Sequence, residues 1–289
     1  MLTTAWTAQA EFAGYYVAKE KGFYREVGLD VEIQYPSLTS SVYHRLEADE
    51  CDAAIFSLMS AMDIMAHGKP LVNILQTSMN SSYLIVSRYG KNPLLLGGKR
   101  VAVYNSEPNY LGKIMDKREK MHYDWIHFSS NINLFLSGAV DAMMVVSYAE
   151  YYQLKQAGFK MSEECIYRFS DHGYNIQENG VYVKAEYYKT HRYQTAAFAE
   201  ASKRGWEWAA AHPDEALDIV MKYVEKSHAP TNRVLQKLML QEILRLQKDP
   251  DSGKREFRLR PDMVKQASQL MREGGILPRQ VTYNELMGK

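Results

Sequence analysis

Five short segments of this chain hold side chains suited to gripping a small flat molecule. In Trp6–Phe12 (WTAQAEF), Trp6 offers a stacking face, Gln9 carries a donor and an acceptor in one carboxamide, and Phe12 adds a second ring. In Phe56–Ser60, Ser57 stands at a predicted strand-to-helix junction. There it caps the helix, and the N–H groups beside it face a polar ligand edge; capping alone also accounts for a serine. Tyr104–Tyr110 (YNSEPNY) brings Tyr104, Asn105 and Asn109 onto a loop between a strand and a helix. In Ser147–Tyr152 (SYAEYY), Tyr148 and Glu150 combine rings with a carboxylate. Glu150 reads either as an acceptor for ligand N–H groups or as a first-turn charge stabilised by the helix dipole. Asp171–Tyr174 adds His172, as a ligand contact or as part of a turn between domains.

This inventory describes recognition and lacks the usual catalytic constellations. The eight histidines are scattered, with neither an HExxH pair nor Cys/His zinc spacing. Gly97-Gly98-Lys99 lacks the rest of a phosphate loop, and no GxSxG elbow is present. Tyrosine is abundant, with 21 residues against 9 phenylalanines, which suits surfaces that stack on a ring and also hydrogen-bond it.

Short apolar strands alternating with helices must position these segments. The pattern predicts strands over Leu2–Trp6, Asp30–Gln34, Asp52–Phe56 and Pro70–Gln76, with helices from Phe12, Ser40 and Leu58 between them. A second series follows, with strands at Tyr83–Ser87, Arg100–Tyr104, Trp125–Phe128, Asp141–Val146 and Cys165–Phe169. Such alternation argues for a parallel sheet with helices on both faces, built twice. From Thr190 the chain turns to long helices; Pro213-Asp214-Glu215 suits a first helical turn, and Asp249–Gly253 a bend.

Bulk properties fit a globular chain. Among 289 residues, 46% are hydrophobic and 24% charged, and the net charge of +1 gives no general attraction to nucleic acid. No apolar run approaches the roughly 20 residues of a membrane helix. Cys51 and Cys165 lie far apart, and their sequence settings favour buried free thiols over a disulfide. No secretory signal precedes the first predicted strand, the pattern expected of a mature form whose export segment has been removed.

Phe12–Ile33 (FAGYYVAKEKGFYREVGLDVEI) carries a more specific signal. Together with Trp6 just upstream and the SYAEYY segment, it resembles the periplasmic binding proteins related to thiamine-pyrimidine-precursor synthase, within a superfamily that also binds nitrate and sulfonates. The resemblance extends over nearly the whole chain and implies an α/β, two-lobed type II periplasmic binding protein fold. Each lobe would be a mostly parallel sheet flanked by helices, with the ligand cleft between them. Residues 1–81 and 181–289 would form the first lobe and 82–180 the inserted second.

The resemblance further implies a non-enzymatic, extracytoplasmic solute-binding component, free or lipid-anchored. It would be a monomer without cofactor that serves an inner-membrane ABC permease and takes a thiamine-related pyrimidine or another heterocycle. Trp6 would stack on that ligand and Glu150 would accept its hydrogen bonds. Asn109 stands where many relatives carry Glu, and His172 where they carry an aromatic. The enzyme branch needs a Lys, a His four residues on, and a cysteine cluster; Phe56 and Ser60 occupy those two positions and no such cluster exists. An anion-binding alternative would use the Ser37–Ser41 stretch.

Overall fold

A computed structural model describes residues 1–37, 41–88, 90–104, 109–128 and 131–289. The chain opens with β1 (Leu2–Thr3), a single 3-10 turn (Ala10–Phe12), α1 (Ala13–Glu20), α2 (Phe23–Glu26) and β2 (Ile33–Gln34). Then come α3 (Val42–Glu47), β3 (Ala53–Phe56), α4 (Leu58–Ala66) and β4 (Leu71–Gln76). Gly22 separates α1 from α2 at φ +79°, in the left-handed region where a Cβ is penalised.

A second group follows: β5 (Tyr83–Ser87), β6 (Arg100–Tyr104), α5 (Tyr110–Glu119), β7 (Asp124–Phe128), α6 (Asn133–Leu136), β8 (Ala142–Val146), α7 (Glu150–Gln156) and β9 (Ile166–Arg168). The chain returns as β10 (Gly180–Lys184) and ends in six helices. These are α8 (Ala185–Thr190), α9 (Arg192–Ala211), α10 (Pro213–Lys226), α11 (Arg233–Leu246), α12 (Pro261–Glu273) and α13 (Tyr283–Leu286).

Among the described residues, two five-stranded sheets result, ordered β2-β1-β3-β10-β4 and β7-β6-β8-β5-β9. Each is parallel apart from one reversed strand, β10 in the first and β5 in the second. Those are the strands that the chain enters on crossing between sheets. A strand that begins at the junction runs away from it, whereas its neighbours end there. The register therefore sets Tyr83, where β5 starts, opposite Val146, where β8 ends. Strand β10 inserts between β3 and β4, which are already sequential, so the local alternation of GVYVK does not disclose its place.

The two crossings lie side by side and bond to each other. Ser81 N–H donates to Asn175 Oδ1 at 2.8 Å, and the Thr77 hydroxyl to the Asn179 carbonyl at 2.7 Å. The Glu178 carboxylate accepts from Ser81 Oγ (2.7 Å), Ser82 N–H (2.9 Å) and Ser82 Oγ (2.6 Å).

One core packs α1 against α9. Trp206 is fully buried there, with its ring centroid 5.9 Å from that of Tyr15. The helices approach so closely that a Cβ at Gly205 would lie 2.1 Å from the Gly14 carbonyl oxygen. A second hydrophobic cluster runs through both lobes: Phe56 and Met59 join Val103, Ile114 and Met115, and Met271 of α12 belongs to the same cluster. Both cysteines are buried and free.

Candidate ligand cleft

The strand ends converge on a cavity of about 60 Å³, room for a few water molecules. Ser57, which follows β3, and Tyr104, which ends β6, line it together with Asn109, Tyr83 and Glu178. Trp6 sits beside it, its ring centroid 5.8 Å from that of Tyr104 in an edge-on arrangement that bridges the lobes. Tyr104 also leans on Phe128, at 4.1 Å between centroids.

Ser57 caps α4, accepting from Ser60 N–H at 3.2 Å and donating to Ser60 Oγ at 3.0 Å. Asn109 caps α5, accepting from Gly112 N–H at 3.1 Å. The capping reading of Ser57 holds, Asn109 proves to be a cap as well, and both side chains still line the cavity.

Beside the cavity lies a cluster of buried acids. Glu11 Oε1 accepts from the Tyr148 hydroxyl at 3.0 Å and from Asn179 Nδ2 at 2.9 Å, while Gln9 Nε2 reaches Oε2 at 2.5 Å. Three donors favour the carboxylate, yet burial outweighs them, helped by the nearby Glu150 charge, and pushes Glu11 up from 4.5 to about 7. Burial also raises Glu150, against the opposing hydrogen bonds from the Val146 N–H (3.1 Å) and the Tyr104 hydroxyl. Tyr148 and Glu11 come from opposite lobes, as do Tyr110 and Asp63 (2.7 Å) and Ser147 and Glu242 (2.7 Å). These bonds tie the part that carries the first sheet to the part that carries the second.

Among the sequence candidates, Ser57, Tyr104 and Asn109 line the cavity. Trp6, Gln9, Tyr148 and Glu150 form the layer beside it. Asn105 lies outside the described residues, as do the middle three of Ser37–Ser41. Two candidates are elsewhere. Phe12 is 1% exposed in the α1–α9 core, because the 3-10 turn ahead of α1 directs its ring inward. His172 is exposed and stacks on Tyr167 at 4.2 Å, in a turn that follows the edge strand β9 rather than a strand ending at the cavity.

Sequence reasoning missed Glu11, Glu178 and Asn179. Glu11 stands inside a segment already singled out, but its partners Tyr148 and Asn179 are 137 and 168 residues away. The available signal was an acidic residue flanked by two apolar ones, Ala10 and Phe12, both of which the structure buries.

Comparison with known proteins fits this architecture. A family model described as NMT1/THI5 like matches residues 9–216. A formylaminopyrimidine-binding protein of Halalkalibacterium halodurans is 25% identical over 263 residues, spanning 85% of this chain and 77% of that protein. The solved periplasmic aliphatic sulphonate binding protein of Escherichia coli has a TM-score of 0.65 at 11% identity, covering 98% of this chain and 90% of the other. The desulfurization enzyme DSZB has a TM-score of 0.60 at 14% identity, covering 99% and 95%. The two structural likenesses show a common fold, one that serves binding and catalysis alike. The family match spans more than half of the chain, and the protein belongs to the NMT1/THI5-like family.

Proposed function

We propose that this protein is the solute-binding component of an ABC importer and captures a small, flat heteroaromatic compound by closure of its lobes. The observation that carries this reading is the meeting of Trp6 and Tyr104 from opposite lobes, next to the buried acids Glu11 and Glu150. Rings supply stacking, and the carboxyl groups take hydrogen bonds from ring amines or N–H groups. The cavity of about 60 Å³ is well below the several hundred Å³ of a ligand pocket, so entry requires the lobes to part. Binding then stabilises the closed state through contacts from both sides. A thiamine-related pyrimidine agrees with what the Halalkalibacterium relative is named for binding. On this reading the partner is a membrane permease, and the protein works outside the cytoplasm as a monomer.

The sulfonate or nitrate reading has less support, because the acidic walls disfavour an oxyanion. A more polar cavity of about 210 Å³ beside the crossings contains Arg168 and Arg245. Each already holds a carboxylate, Glu163 at 2.7 Å and Glu242 at 2.7 Å respectively. The synthase reading also lacks its parts: Phe56 stacks on Tyr182 at 5.2 Å, and Ser60 is tied to Ser57.

A thermal-shift screen against pyrimidines, thiamine, riboflavin, sulfonates and nitrate tests the proposal. A ligand at a hundred times its Kd stabilises by about 2.7 kcal/mol. A shift with one heterocycle, lost in Trp6→Ala and Glu150→Ala, is the expected result. A shift with oxyanions alone would overturn it.

A further inference from the structure

We propose that Asn109 is a specificity-determining residue of the cleft: its Nδ2 donates a hydrogen bond to a ring nitrogen or carbonyl oxygen at one edge of the ligand. The inference rests on the heteroaromatic reading above and adds a polarity to it.

Asn109 is 5% exposed, and the orientation of its carboxamide is fixed. Oδ1 accepts the Gly112 N–H of α5 at 3.1 Å, and turning the amide over would set two donors face to face. Gly112 leaves no freedom on the other side, since a Cβ there would lie 2.2 Å from Oδ1 and 2.6 Å from Nδ2. The glycine makes the space that the carboxamide fills. Nδ2 is then buried without a hydrogen-bond partner among the described residues, on a side chain that lines the cavity.

Other polar groups on the same wall are engaged. Ser57 bonds Ser60, the Tyr110 hydroxyl donates to Asp63 at 2.7 Å, and Glu178 accepts from Ser81 and Ser82. A buried donor left unpaired is costly, and a ligand acceptor at this point relieves the cost only in the bound state. The acids around the cleft prefer donors on the ligand, so Asn109 defines the edge at which an acceptor is required. A ring that offers only C–H there leaves the amide unsatisfied and is rejected.

The test is titration calorimetry at pH 8 with two rings of nearly equal shape, 4-amino-2-methylpyrimidine and its all-carbon counterpart 3-methylaniline. Each is titrated into the wild type and into Asn109→Asp. Aspartate keeps the cap and the size and removes the donor. The wild type is expected to prefer the pyrimidine by about tenfold or more, and Asn109→Asp to lose most of that preference. Asn109→Ser, also a good cap but too short to reach the ring, is expected to lose it likewise. An undiminished preference in both variants would overturn the role of Asn109 and leave the heteroaromatic reading standing. Failure of the wild type to bind either ring would overturn that reading, and this inference with it.

Discussion

Neutralising Glu11 should flatten part of the pH dependence of stability. Burial raises this carboxyl from 4.5 to about 7, so the folded protein holds the proton more tightly than the unfolded chain does. The stabilisation tied to that proton is complete below about pH 4.5 and is lost as pH rises through about 7. At about 1.4 kcal/mol per tenfold change in proton affinity, the loss amounts to roughly 3 kcal/mol. Glu11→Gln stays neutral throughout, with the Gln9 carboxamide free to turn and meet the new amide. Urea denaturation of both proteins at pH 4.5, 6 and 8 isolates the contribution, since other titrations cancel in the difference. The wild type should weaken relative to Glu11→Gln by roughly 3 kcal/mol across this range. If parting the lobes rehydrates Glu11 more cheaply, the fall stops early and the radius of gyration increases over the same pH interval. Parallel stability profiles with no change in size would refute the reasoning.

Other perturbations follow from the same contacts. Tyr148→Phe removes a hydrogen bond that favours the Glu11 carboxylate, so the Glu11 midpoint should move higher in the same difference measurement. Gly205→Ala places a methyl 2.1 Å from the Gly14 carbonyl oxygen and should cost about 3 kcal/mol or more, read as a lowered melting temperature. Tyr110→Phe deletes the bond to Asp63 between the lobes and should cost about 1 kcal/mol in urea denaturation.

The sheets were largely legible because each strand carries its own apolar signal: Tyr83–Ser87 and Arg100–Tyr104 match the predicted bounds residue for residue. Predicted strand Leu2–Trp6 shrinks to Leu2–Thr3 because the chain bends from Ala5 onward, the Thr4 hydroxyl bonding the Trp6 carbonyl at 2.7 Å. The reversed strand β10 escaped notice because its position is fixed by pairing with β3 and β4, more than a hundred residues back. The same limit applies to the site. Trp6, Ser57, Tyr104 and Glu150 announce themselves by type and by their place at strand ends. Glu11 and Glu178 gain their character from partners that only the folded chain brings near, and Phe12 shows that an aromatic beside a candidate segment can be fully buried in a hydrophobic cluster.

The most direct test of a cleft that closes on a flat heterocycle is titration calorimetry of the wild type, Trp6→Ala and Tyr104→Ala with 4-amino-2-methylpyrimidine. One-to-one binding, weakened about tenfold or more by each substitution, is the predicted result. No binding, or binding indifferent to both rings, would contradict the account.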